Sequence, residues 1–162
     1  MSSNYQAIVA APAFSLGIRA SADEVVGLHY LTPRREQAPQ NALAAEAVRQ
    51  VRAWLADPAF GFALPLQPQG TPFQRRVREA ITRIPFGRVL TYGEVAKQLH
   101  SGPRAVGGAC GANPYPLVIP CHRVVSASGL GGFGGVGEDS ASLDFLLNVK
   151  RWLLAREGHA GY

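Results

Sequence analysis

The run Pro120-Cys121-His122-Arg123-Val124-Val125 places a thiol next to an imidazole, in a chain with only one other cysteine, Cys110. A thiol attacks as its thiolate, and a pKa near ~8.5 must be lowered, or the proton removed by a base, for useful reactivity at neutral pH. His122 is the nearest candidate base. The preceding Leu117-Val118-Ile119 reads as a short buried strand. Adjacent residues of an extended strand point to opposite faces, so a bridging water or a local turn is needed to join Cys121 to His122. Cys beside His also suits a buried structural cysteine, which is the commoner case. Cys110, Cys121, His100 and His122 lack the paired close spacing of a zinc site, so no metal is expected.

These residues follow a series of short helices with legible start signals. Thr71-Pro72-Phe73-Gln74 is a capping box with proline at the first helical position. Phe73, Val77, Ala80, Ile81 and Ile84 then form an apolar stripe, stopped by Pro85-Phe86-Gly87. Thr91-Tyr92-Gly93-Glu94 is a second box opening a helix through Leu99, and Ser101-Gly102-Pro103 turns the chain into another from about Arg104 to Ala112. Two short helices about a tight turn resemble a helix-turn-helix, whose second helix enters a nucleic-acid groove. That second helix is built from Ala105, Gly107, Gly108, Ala109, Gly111 and Ala112. Each interior glycine costs roughly 1 kcal/mol against alanine. Either a neighbouring helix packs tightly there, or the helix is kept thin for a minor groove, with Arg104 at its start available for insertion.

The first thirty residues have strand periodicity. Phe14, Leu16 and Ile18 alternate with small or polar neighbours, as do Val26, Leu28 and Tyr30 after Ser21-Ala22-Asp23-Glu24, so a small antiparallel sheet is expected. Ala44, Val48, Val51 and Leu55 share one helical face, ended at Pro58. The turn-rich stretch from Leu64 to Gly70 marks a boundary. The expected fold class is α+β: a structural domain over residues 1–70 with a small antiparallel sheet and a helix, then a mainly helical domain over residues 71–162.

Charge divides at the same place. Residues 1–70 carry five basic and five acidic side chains, and residues 71–162 carry eleven basic against six acidic. The whole net charge of +5 therefore lies in the half with both cysteines, which suits a phosphate-bearing partner. The start of the chain has no basic apolar leader and no segment is long enough to cross a bilayer, so a cytoplasmic protein without a membrane partner is expected. Sparse cysteine is unlike a secreted disulfide scaffold.

Pro120-Cys121-His122-Arg123-Val124, Arg104-Ala105-Val106-Gly107-Gly108-Ala109 and Asn113-Pro114, in one register, resemble the O6-alkylguanine-DNA alkyltransferase family. The similarity runs from about Thr71 to Gly158. It implies that a base flipped out through the minor groove of double-stranded DNA gives the alkyl group of O6-alkylguanine, and also of O4-alkylthymine, to Cys121 in a single turnover. His122 is then the base acting through a water, Glu157 the carboxylate that orients it, and Asn113 the hinge of the turn before the thiol. Asn113 also reads as an ordinary helix C-cap. The resemblance makes Tyr92 the residue that crowds the target phosphate and protonates the departing guanine. It makes Arg104 the finger filling the vacated stack, with Ala105, Gly108, Ala109 and Arg123 on the DNA. Backbone of Val124, together with Phe133 and Gly134, would line the base pocket. The implied protein is a monomer without cofactor, at the nucleoid if its source is bacterial.

The chain departs from the family pattern in places. Tyr92 to Arg104 is short, Arg78 stands where many members have tryptophan, and extra residues run roughly from Val136 to Leu147. Two other readings remain: a non-catalytic alkyltransferase-like binder of alkylated DNA, which has tryptophan in place of the cysteine, and a cysteine hydrolase, for which no oxyanion-hole sequence is recognisable.

Overall fold

A computed structural model describes residues 4–131 and 142–162, which form two compact units divided between Pro68 and Gln69. In the first, β1 (Ala7–Ala10), β2 (Ser15–Ala20) and β3 (Val25–Leu31) make an antiparallel sheet in the order β1-β2-β3. Leu16 pairs with Tyr30 and Ile18 with Leu28, so the alternation in the sequence becomes one buried face. On the other face a Cβ at Gly17 would lie 2.6 Å from the ring of Tyr5, so glycine is what lets that ring cover the strand. Helix α1 (Ala42–Ala56) is capped by Asn41 and buries Ala44, Val48 and Val51 as the periodicity requires. Trp54, rather than Leu55, fills the end of that face.

The stretch read as a linker is anchored for part of its length. Val25 donates its amide to Pro65 O at 2.7 Å and accepts from Gln67 N at 2.9 Å, so Leu64 to Gln67 runs beside β3.

In the second unit, α2 (Pro72–Thr82) and α3 (Tyr92–Gln98) both begin with the capping boxes expected, Thr71 with Gln74 and Thr91 with Glu94. Helix α4 (Pro103–Gly111) packs on both. The short α3–α4 connection closes because His100 takes a left-handed conformation, φ 54°. Helix α5 (Leu143–Arg156), capped by Ser142, completes a core of Val77, Ile81, Val95, Val106, Val149, Leu153 and Leu154.

Three features differ from the sequence expectation. Leu117-Val118-Ile119 is a turn, with Leu117 left-handed at φ 74° and Ile119 N donating back to Tyr115 O at 2.8 Å. Cys121–Arg123 is one turn of 3-10 helix instead of strand. Beyond it, β5 (Val124–Val125) pairs in parallel with β4 (Leu90–Thr91), giving the mainly helical unit a two-stranded sheet. Among the described residues, no helix is long and apolar enough to cross a membrane.

Candidate active site

The second unit by itself assembles the site around Cys121, which is buried at 3 % exposure. The 3-10 turn is closed by Arg123 N on Pro120 O at 2.9 Å, and it is this turn that separates the directions of Cys121 and His122. Asn113, fully buried, spans the loop. Its Nδ2 donates to Cys121 Sγ and to Ile119 O, both at 3.1 Å, while its Oδ1 accepts from Tyr115 N at 3.0 Å. These three partners fix the amide's orientation. The C-cap of α4 is Ala112, so Asn113 is one residue beyond the cap and its side chain is committed to the thiol loop.

Both side chains of the His122–Glu157 pair are fully buried, with Nε2 2.6 Å from Oε2. Arg123 completes the carboxylate's coordination, Nε on Oε1 at 2.8 Å and Nη2 on Oε2 at 3.1 Å, and its Nη1 donates to Ile84 O at 2.7 Å. Burial opposes the charge on Glu157, but hydrogen bonds from His122 and Arg123 overcome it and hold the carboxyl below its usual range. Burial likewise lowers the His122 pKa, against the pull of Glu157. The pair at neutral pH is thus a carboxylate and a neutral imidazole. With Nε2–H given to Glu157, the basic lone pair resides on the buried Nδ1.

Neighbouring Cys110 and burial push the Cys121 thiol well above its ordinary range, opposed by the Asn113 amide and the charge of Lys150. Lys150 is a site residue that the sequence reading missed. It is wholly buried, its Nζ donating to Val124 O at 2.8 Å and lying 3.4 Å from the Tyr92 hydroxyl. Burial lowers its pKa to about 8. Its position between Leu146 and Leu153–Leu154 on the apolar face of α5 was the available signal: a lysine in core register needs a polar reason to be there. Burial raises the Tyr92 pKa, so the hydroxyl keeps its proton at neutral pH.

The structure redistributes the remaining candidates. Arg104, Ala105 and Gly108 are exposed on α4, whereas Ala109 is buried and lies on the helix-packing face. Arg123, expected on DNA, instead spends its guanidinium on Glu157 and Ile84. The Val124 N–H is taken by Cys121 O and its carbonyl already accepts from Lys150, which leaves one carbonyl lone pair for a base. Phe133 and Gly134 lie outside the described residues. Among the described residues, a Cβ built at Gly107, Gly108 or Gly111 meets nothing within 4 Å, so packing against them does not account for these glycines. Among the described residues, no group of three His, Cys, Asp or Glu could hold a metal ion.

Comparison with known proteins matches residues 72–159 to the model of the 6-O-methylguanine DNA methyltransferase DNA-binding domain, more than half the chain. The chain belongs to the 6-O-methylguanine DNA methyltransferase family. Among relatives named methylated-DNA–protein-cysteine methyltransferase, the Thermococcus gammatolerans protein is 51% identical over 51% of this chain and 48% of its own length. The Mycobacterium leprae protein is 43% identical over 75% of this chain and 69% of its own length. The chain thus spans about half the length of several relatives that it matches. Methyltransferase likeness at the level of structure is broader. The crystal structure of Mycobacterium tuberculosis OGT in complex with DNA superposes with a TM-score of 0.75 at 33% identity, covering 93% of this chain and 90% of that one. The Mycobacterium tuberculosis O6-methylguanine methyltransferase gives 0.74 at 31%, covering 96% and 93%.

Proposed function

We propose that this protein repairs DNA by a single, stoichiometric transfer of an alkyl group from O6-alkylguanine, and from O4-alkylthymine, to Cys121 Sγ. The observation that carries this reading is the buried thiol held by Asn113 beside a neutral His122 whose proton-bearing nitrogen faces Glu157. Relatives named methylated-DNA–protein-cysteine methyltransferase support the same reaction type.

The chemistry follows from these groups. His122 Nδ1 takes the thiol proton through a water, and Glu157 stabilises the imidazolium that forms. The thiolate displaces guanine at the alkyl carbon: the S–C bond forms, the C–O6 bond breaks, and its electron pair passes into the purine. The Tyr92 hydroxyl supplies a proton to the departing base. Lys150, 3.4 Å from that hydroxyl, stabilises the resulting phenolate. The product is a thioether with no leaving group, so each molecule acts once.

The guanine O6 of a paired base is inside the stack, so it must be flipped to reach a buried thiol. A thin, exposed face of α4 with Arg104 at its start suits a minor groove, and the open space over Gly107 and Gly108 supports approach by something outside the chain. Cys121 stands where a non-catalytic alkyltransferase-like binder would have tryptophan, which argues against that alternative.

Intact-protein mass spectrometry after incubation with an O6-methylguanine duplex tests the proposal. One methyl per protein, mapped to Cys121 and absent from Cys121→Ala, is the expected result. Lesion binding without added mass would overturn it in favour of a recognition protein.

A further inference from the structure

A buried arginine on α2 forms part of the surroundings of the thiol. Arg78 is 7 % exposed and, among the described residues, no carboxylate pairs with it. Its Nη1 donates to Gln69 O, and its Nη2 to Ala112 O at 3.4 Å, the residue immediately before Asn113. Gln69 reaches the same turn by its side chain, Nε2 donating to the Tyr115 hydroxyl at 2.9 Å. Tyr115 N donates in turn to Asn113 Oδ1, and Asn113 Nδ2 donates to Cys121 Sγ. The chain therefore closes a hydrogen-bonded loop running from Arg78 through Gln69 and Tyr115 to the amide that touches the thiol.

Local backbone chemistry is adapted to this arrangement. Gly70 has φ 92°, and a Cβ there would lie 2.8 Å from Arg78 Nη2 and 2.5 Å from Gln74 Oε1, so only glycine lets the segment wrap over the guanidinium. Guanidinium groups stay charged in proteins, and a buried charge without a counter-ion is costly. The groups whose negative forms Arg78 faces are Cys121 and Tyr115.

We propose that Arg78 is a positioning residue for Cys121: it holds the Asn113 turn in place and so keeps the Asn113 amide on the thiol. This inference rests on Cys121 being the acceptor. It gives a purpose to a residue that sits where many family members have tryptophan. Burial and the adjacent Cys110 disfavour ionisation of Cys121, and the Asn113 amide that the Arg78 network holds favours it. The other titratable groups that act on the thiol are Lys150 from α5 and Tyr92 from α3.

The test is the pH dependence of Cys121 alkylation by iodoacetamide, read by peptide mapping on the full chain, for wild type, Arg78→Gln, Arg78→Trp and Arg78→Lys. Thermal melting of each variant checks folding, and Arg78→Trp keeps the volume filled if the glutamine variant unfolds. The expected result is a midpoint raised by about one pH unit in the neutral variants, with alkylation about tenfold slower at neutral pH, and substantial rescue by lysine. An unchanged midpoint in folded Arg78→Trp would overturn the inference, whatever happens to its melting temperature. The titration needs no DNA. A wild-type protein whose Cys121 titrates as described but takes no methyl from a duplex would instead overturn the functional reading.

Discussion

His122 Nε2 and Glu157 Oε2 are 2.6 Å apart with both side chains out of solvent, and the second carboxylate oxygen is held by Arg123. This contact sets the tautomer and orientation of the imidazole, while burial keeps it neutral. Replacing the carboxylate while keeping its shape should therefore affect chemistry first. Glu157→Gln is expected to slow single-turnover methyl transfer by about 100-fold, within the range ascribed to a positioned general base. It should also lower stability, since Arg123 loses its buried partner. Rapid-quench kinetics with a methylated duplex would measure this, and a loss below tenfold would show that His122 needs no carboxylate.

Lys150 makes a prediction about stability and pH. Its folded pKa is about 8, below the ordinary lysine value, so between about pH 8 and 10.5 the unfolded chain binds more protons than the folded one. Stability due to Lys150 should rise with pH across that window. Denaturant unfolding of wild type and Lys150→Met should give a difference whose slope has this sign. A difference that is flat from pH 8 to 10.5 would contradict a lysine that loses its proton early because it is buried. Tyr92 and Cys121, with raised pKa values, act in the opposite direction but are common to both proteins.

Gly108 separates folding from docking. Its Cβ would meet open space and it is inside a helix, so Gly108→Ala should stabilise the protein by about 0.5–1 kcal/mol. Gly108→Leu should remain folded yet lose affinity for duplex DNA and repair it more slowly. Thermal melts with parallel duplex binding would distinguish the two effects. Unchanged duplex binding by Gly108→Leu would remove this face of α4 from the interface.

Arg104 is exposed at the beginning of α4, and among the described residues no hydrogen bond or ion pair joins it to the surroundings of the thiol. Arg104→Ala should reduce repair of a duplex substrate by about tenfold or more while leaving reaction with free O6-benzylguanine nearly unchanged, since only the duplex requires a base to be extruded. Equal losses on both substrates would mean that Arg104 does not act as a finger.

Much of this architecture was legible because its signals are local. Thr71 with Gln74 and Thr91 with Glu94 define two helix starts within four residues each, and the alternation of Leu16 and Ile18 fixes a strand face. Cys121, His122, Asn113 and Glu157 were found from motif and resemblance, and the structure brings them together. What failed depended on long-range geometry. Leu117-Val118-Ile119 has strand composition, but its backbone is bonded to Asn113 and Tyr115 in a turn. Arg123 has the charge of a phosphate ligand, and nothing within the motif discloses that Glu157 and Ile84 claim it. Lys150 was passed over because a lysine is read as surface unless its helical register is checked against its neighbours. The residues enclosing Arg78 come from Gln69 and Ala112, far apart in sequence.

The short parallel pair of Leu90–Thr91 with Val124–Val125 has a mechanical meaning. Thr91 is the cap of α3 and Tyr92 its first residue, while Val124 directly follows the turn that carries the thiol. The two segments are therefore bolted together by main chain, with no rotatable side chain in the coupling. The first turn of α3 and the turn that carries the sulfur therefore share one main-chain frame. Two residue pairs of sheet thus act as the stiff bracket of an otherwise helical unit.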